Sequence, residues 1–269
     1  MSLELTLHTA PEVPLEADAL SPDRLAGLDV AAIGKLTIFH GNRECPLGEF
    51  FKVSGSADGV IHVHGDLAMV KHLGAAMSGG LLHIHGNAGA HLGAAMRGGR
   101  IVVDGDAGDW VGPEMQGGSI HIKGGAGHLL GSAYRGSAMG MTGGEIIVHG
   151  SVRNEAGHGM RNGLIAVGGD SGDFVGVNML AGSIFVLGQL GIRCGAGMKR
   201  GTIVSMHDAE MLPTFSRACT YRPSFMRVYL QHLQQRGLPV TDAQISGAYQ
   251  RWCGDAVELN RGEILLYKP

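Results

Sequence analysis

The sequence predicts an all-β fold, a parallel β-helix or solenoid of about eight coils with a small helical C-terminal extension. Three observations predict it. Glycines recur with a 19-residue repeat, each repeat carries one short segment of alternating apolar residues, and the apolar content is Ile, Val, Leu, Ala and Met rather than large rings. Glycine accounts for 46 of 269 residues, while aromatics are only 5%. Proline is low at 9, and no Gly-X-Y period exists, which excludes collagen and argues against disorder.

The repeat is legible residue by residue. Gly86-Asn-Ala-Gly89-Ala-His-Leu-Gly93 reads G-x-x-G-x-x-x-G, and Gly105 to Gly112, Gly124 to Gly131, Gly169 to Gly176 and Gly188 to Gly195 read the same. Three residues after each last glycine stands Met96, Met115, Tyr134, Met179 or Met198. The last glycines fall at 74, 93, 112, 131, 157, 176 and 195, in steps of 19 except for one of 26. A seven-residue insertion after Tyr134 explains the exception. Gly41, Gly48 and Phe51 suggest a looser, earlier coil.

Segments such as Ile101-Val-Val103 and Ile120-His-Ile122 alternate with period two, as a strand with one buried face does. One strand in every 19 residues cannot form hairpins, so like stacks on like along an axis. The residues expected inside are Ile84, Val103, Ile122, Val148, Val167 and Val186. At about 4.8 Å per layer, eight coils make a rod of roughly 35–40 Å.

Domain boundaries follow from the phase. Residues 1–34 precede the pattern, 35–206 carry it, and 207–269 form a cap or docking arm. In that tail, residues 223–236 read as an amphipathic helix with Ser224 as N-cap and Gly237 as its stop. Thr241 with Gln244 resembles a capping box for a second helix running through Trp252. The first helix is expected to cover the open end of the rod. The final apolar segment, Ile264 to Tyr267, reads as a strand reaching a partner.

Net charge is −3, so nucleic acid is not an expected partner. No apolar run is long enough for a membrane span. The N-terminus lacks the basic start and apolar stretch of a signal peptide, and Cys45, Cys194, Cys219 and Cys253 form no CxxC pair. A cytoplasmic protein with free thiols is expected.

The repeated G-x-x-G-x-x-x-G with its Ile-x-Val strands resembles the C-terminal domain of glutamate synthase. The tail adds Leu212-Pro-Thr-Phe215, Pro223-x-Phe225-x-Arg227-x-Tyr-Leu and Gly254-Asp-x-x-Glu258-x-x-x-Gly262-Glu-Ile264. With it, the chain resembles the C subunit of the formylmethanofuran dehydrogenase family, above all that of the bacterial formyltransferase/hydrolase complex. This resemblance implies a right-handed β-helix in a cytoplasmic complex with three other subunits. One partner, a formyltransferase, moves a formyl group from formyl-tetrahydromethanopterin to a methanofuran-type cofactor. Another, a zinc amidohydrolase, releases formate. The archaeal relatives reduce CO2 with molybdenum or tungsten. The family assigns its C subunit no catalytic residues and no bound cofactor, so none is carried over.

Four constellations remain. Arg97, Arg135, Arg161 and Lys199 follow the methionine position and suggest an anion track. The glutamate-rich tail of the family's furan cofactor is the ligand that the resemblance offers it. Arg153, Asn154, Glu155 and His158 surround the irregular repeat and suggest a partner contact. His62 with His83, and His64 with His85, form outward ladders. Their spacing does not recur, so a surface stripe is expected and no metal site is assigned. No nucleophile–base order emerges. The competing readings are a stand-alone metal-dependent β-helix enzyme and a glutamate-synthase-like domain expressed alone.

Overall fold

The computed structural model describes residues 2–269, and the chain is mostly β. The N-terminal part holds β1 (Leu3–Leu7), β2 (Leu15–Glu16), α1 (Pro22–Leu25), α2 (Val30–Gly34), β3 (Thr37–His40), β4 (Arg43–Pro46) and β5 (Phe51–Gly55). The repeats supply β6 (Val60–His64), β7 (Val70–Lys71), β8 (Leu81–His85), β9 (Arg100–Val103), β10 (Ser119–Ile122) and β11 (Glu145–Val148), then β12 (Leu164–Val167), β13 (Ser183–Val186) and β14 (Thr202–Ser205). The tail adds β15 (Ser216–Tyr221), α3 (Met226–Gln235), α4 (Asp242–Ser246), β16 (Ala248–Gly254) and β17 (Gly262–Lys268).

Thirteen strands form one sheet, in the order β15-β16-β17-β14-β13-β12-β11-β10-β9-β8-β6-β1-β5. Strands β6 and β8 to β14 pair parallel in unbroken register, one strand from each repeat. A second line of parallel bridges joins Leu67, Ala88, Ala107, Ala126, Val152 and Ser171. The backbone therefore meets the preceding repeat on two separate lines. Both termini enter the stack, since β1 pairs parallel with β6 and β17 pairs parallel with β14. The chain's last strand thus lies inside the sheet instead of reaching outward.

The buried ladder matches the alternation. Ile84, Val103, Ile122, Val148, Val167 and Val186 are paired in sequence and fully buried. Beside them run Leu82, Ile101, Ile120, Ile146, Ile165, Ile184 and Ile203, and the methionines fill the remaining interior. The last glycine of each motif is required sterically. Gly93 has φ +63, and a Cβ there would stand 2.6 Å from Ile120 Cδ1 of the next repeat.

Several expectations need correction. Gly41 and Gly48 belong to a hairpin and a short 3-10 turn, and Phe51 begins a strand antiparallel to β1. They form no early coil; β1 supplies that layer. The fully buried residue of the irregular repeat is Met141, not Tyr134, which is half-buried. Thr142 N donates to Met115 O, and Arg161 N to Met141 O, so Met141 keeps the interior phase and the insertion comprises residues 134–140.

In the tail, α3 starts at Met226, two residues after the expected N-cap, and Phe225 at its N-cap offers no side-chain acceptor. Helix α4 has the Thr241–Gln244 capping box but stops at Ser246. Trp252 lies in β16, because β15 and β17 both pair with that segment. Helix α3 covers the flank of the sheet instead of its end. Met226, Leu230 and Leu233 pack on Ile147, Ala166, Phe185 and Val204, the outward positions of the last four repeats. These are all apolar where earlier repeats mix His62, His83 and His121 with Val102, so this stretch of the outer face needs a cover. The end of the stack is closed by β17, β16 and β15. Among the described residues, no helix is long and apolar enough to cross a membrane.

Candidate functional site

Two residues before each last glycine, the backbone enters the left-handed region in seven successive repeats. The residues are His72, His91, Trp110, Leu129, Glu155, Phe174 and Arg193, with φ between 58° and 63°. Such a conformation is costly for non-glycine residues and persists where neighbours hold it. From His72 to Phe174 each backbone N–H donates to the next repeat, as from Trp110 to His128 O and from Glu155 to Asp173 O. The side chains consequently line up along one corner. His72 stacks on His91 at 4.6 Å, and Arg193 lies over the Phe174 ring at 5.4 Å.

The insertion folds onto this corner. Tyr134 stacks on Trp110 at 4.9 Å, and its hydroxyl lies 2.9 Å from His91 Nδ1. Burial, with Glu114 nearby, pushes the Tyr134 phenol up to about 12, and burial lowers His91 from its ordinary value. This pair is therefore a neutral hydrogen bond at neutral pH. Trp110, Leu129, Tyr134, Arg135, Glu155 and His158 wall a small concavity. His158 Nδ1 is 3.0 Å from Glu155 Oε2, and the Ser132 hydroxyl donates to Glu155 O at 2.8 Å. The arrangement offers two stacked rings, one guanidinium and an imidazole–carboxylate pair to a binding group.

The structure redistributes the sites expected from sequence. Arg97, Arg161 and Lys199 follow buried methionines, but Gln116, Thr142 and Leu180 interrupt their line. Arg135 leaves that line for the concavity, because the insertion starts before it. Lys199 reaches Glu258 at 3.8 Å, and Arg161 Nη1 lies 3.2 Å from Met139 Sδ. Glu155 and His158 join the concavity, while Arg153 faces a separate shallow surface with Asp106, Asp109 and Ser151. Asn154 Oδ1 accepts from Asp173 N at 3.1 Å. Sequence reasoning missed Trp110 and Tyr134. The signal lay two residues before the last glycine, where His72, His91 and Trp110 place a ring in three successive repeats.

A second cluster lies on the outer face of β6 and β8. Register sets His62 beside His83 and His64 beside His85. His62 Nδ1 and His85 Nε2 are 2.8 Å apart. Asp104 receives His83 Nε2 at 3.1 Å, His85 Nδ1 at 2.9 Å and Lys123 Nζ at 2.7 Å. Lys123 first, then the two histidines, hold the Asp104 carboxyl well below the usual carboxylate range. His62, His83 and His85 each present a nitrogen within 4.8 Å of the others.

Known proteins share this architecture. The GXGXG motif family matches residues 70–220, more than half of the chain. A solved formyltransferase/hydrolase complex from Methylorubrum extorquens, in complex with methylofuran, contains a chain with TM-score 0.92 and 31% identity, the match covering 99% of this chain and 100% of that one. Curated relatives of its repeats are C subunits of formylmethanofuran dehydrogenases, and this chain belongs to that family.

Curated C subunits match over shorter stretches. The C subunit of the molybdenum-containing formylmethanofuran dehydrogenase 1 of Methanothermobacter thermautotrophicus is 43% identical over 80 residues, 29% of this chain and 20% of that protein. The C subunit of the Methylorubrum extorquens formyltransferase/hydrolase complex is 34% identical over 86 residues, 31% of this chain and 32% of that protein. The matched stretch thus spans about a fifth to a third of the curated relatives. Within the family's motif region, residues 70–220, lies the whole concavity, whereas the His62 ladder begins before it.

Proposed function

We propose that this chain is a scaffold subunit, without catalytic residues of its own, in a cytoplasmic formyltransferase/hydrolase complex. In this reading the repeats from β6 to β14, residues 60–206, wind as a right-handed parallel β-helix. Their two lines of parallel pairing support that shape, and right-handed crossovers between parallel strands are the rule. Residues 207–269 close one end and pad one flank. The complex passes a formyl group from formyl-tetrahydromethanopterin to a methanofuran-type cofactor and releases formate. The partners are a formyltransferase, a zinc amidohydrolase and one further subunit. The observation that carries this reading is the likeness to a chain of such a complex, which extends through the tail as well as the repeats.

Within the reading, the concavity of Trp110, Tyr134, Arg135, Glu155 and His158 is a partner contact. Stacked rings beside an arginine suit an interface anchor. The interrupted line of Arg97, Arg161 and Lys199 is a row of single anion contacts along one edge. A second reading, a subunit of a CO2-reducing dehydrogenase, draws on the higher local identity to the molybdenum enzymes.

One experiment tests both. The chain is affinity-purified from its native cells and the recovered assembly is assayed. A formyltransferase and an amidohydrolase that release formate from formyl-tetrahydromethanopterin only when assembled support the first reading. Molybdenum or tungsten in the recovered assembly supports the second. Turnover by the isolated chain overturns both.

A further inference from the structure

We propose that His62, His83 and His85 form a binding site for one divalent transition-metal ion of the zinc, cobalt or nickel class. The argument begins with the sheet. His62 on β6 and His83 on β8 are register partners, and His85 follows two positions later on the same outward face. Three imidazoles thereby converge from two hydrogen-bonded strands, so the backbone holds their origins in place. Each offers one nitrogen within 4.8 Å of the other two. Ligands around one zinc-like ion, at about 2.0–2.1 Å each, approach one another to roughly 3–3.5 Å. Small side-chain rotations close that difference.

The neighbours prepare the ring nitrogens. Asp104 Oδ2 accepts from His85 Nδ1 at 2.9 Å, which leaves His85 Nε2 as a lone pair, 2.8 Å from His62 Nδ1. Asp104 also accepts from His83 Nε2 at 3.1 Å, which leaves His83 Nδ1 available. A carboxylate behind a ligating imidazole is the usual device for fixing its tautomer and raising its basicity. Here one carboxylate serves two rings, and Lys123 at 2.7 Å anchors it. His64 stays outside the ligand set. It stacks on His85 at 4.5 Å and pairs with Glu4 at 2.7 Å, packing the cluster from the side.

Imidazole ligands select borderline ions over magnesium or calcium, which prefer oxygen. The side chains of His83 and His85 are 23% and 30% exposed, so a further position on the ion faces outward. A bound ion would clip β6 to β8 where the regular stack begins. That role is separate from the proposed scaffold function and survives its failure.

The test uses the untagged full chain, stripped with a chelator and titrated with Co2+ and with Zn2+. One ion per chain is expected, with the visible absorption of nitrogen-ligated cobalt and a melting temperature that rises with the metal. His83→Gln and His85→Gln should each weaken binding about a hundredfold and abolish the thermal shift, while Asp104→Asn should weaken it about ten- to a hundredfold. His207→Gln, beyond β14 and remote from the cluster, should leave binding unchanged. Should either ligand variant fail to fold without metal, His62→Gln replaces it in the same titration. Binding well below one ion per chain, or equal binding by the ligand variants, overturns the proposal and leaves a hydrogen-bonded histidine stripe.

Discussion

Ile146 Cδ1 occupies the space that a side chain on Gly112 would need: a Cβ there would stand 2.6 Å away. Gly112 also has φ +59, so two independent costs attach to any other residue. Gly112→Ala should cost about 2–4 kcal/mol from overpacking and left-handed strain together. Ile146→Val removes the clashing methyl and should restore part of that loss in the double variant. Urea unfolding of the four proteins checks it, and an unchanged midpoint for Gly112→Ala would refute the packing assigned to the motif.

Val103 lies fully buried between Ile84 and Ile122. Val103→Asp should place an unpaired carboxylate there and cost about 3–5 kcal/mol or raise the carboxyl pKa instead. Wild-type melting would contradict the register.

Asp109 Oδ1 accepts from His128 N at 2.7 Å, one repeat further on, and Asp106, Asn154, Asp170 and Asp173 repeat the device. Asp109→Ala should lose about 1 kcal/mol, and Asp109→Asn should retain most of it. Hydrogen exchange at His128 N–H reads the rung directly: faster exchange only in the alanine variant is expected.

Leu230 is fully buried in the cluster between α3 and the sheet. Leu230→Ala should cost about 2–5 kcal/mol. Removal of residues 222–269 should be worse, since it also strips β17 from β14. A soluble truncation that still assembles would leave the tail without its assigned role.

His121 gives the pH dependence a sign. Burial first, then the charge of His149, Arg100 and Arg236 against that of Glu145, pushes its pKa down to about 4. The unfolded chain, with an ordinary value of about 6.5, binds the proton first as pH falls. Stability contributed by neutral His121 is therefore present above about 6.5 and lost progressively towards 4. His121→Gln should flatten the decline in melting temperature over that window. An unchanged slope would remove His121 as its source.

Periodicity in the sequence is a direct image of the buried ladder, because residues such as Ile101 and Val103 must repeat wherever the sheet repeats. The insertion is harder to place, since residue type alone does not separate Tyr134 from Met141 as the interior filler. The pairings of Thr142 N with Met115 O and of Arg161 N with Met141 O decide it, and Arg135 moves accordingly. Trp252 reads as helical from a local capping box, yet its partners in β15 and β17 are remote in sequence. The flank covered by α3 was legible in principle, in the change from His121 to Ile147. Proximity of His62, His83 and His85 depends on register between strands, which their spacing along the chain does not state.

Register also makes the molecule's length a counted quantity. Each repeat adds one strand to the stack and about 4.8 Å to it, and a regular repeat places each residue's counterpart 19 positions away. The separation between the β5 edge and the β15 edge can therefore change only by whole steps. Losing one 19-residue unit would keep every glycine against its isoleucine, whereas losing a single residue from within a strand would set core against solvent. Any two groups fixed to the two edges would be spaced by a whole number of layers.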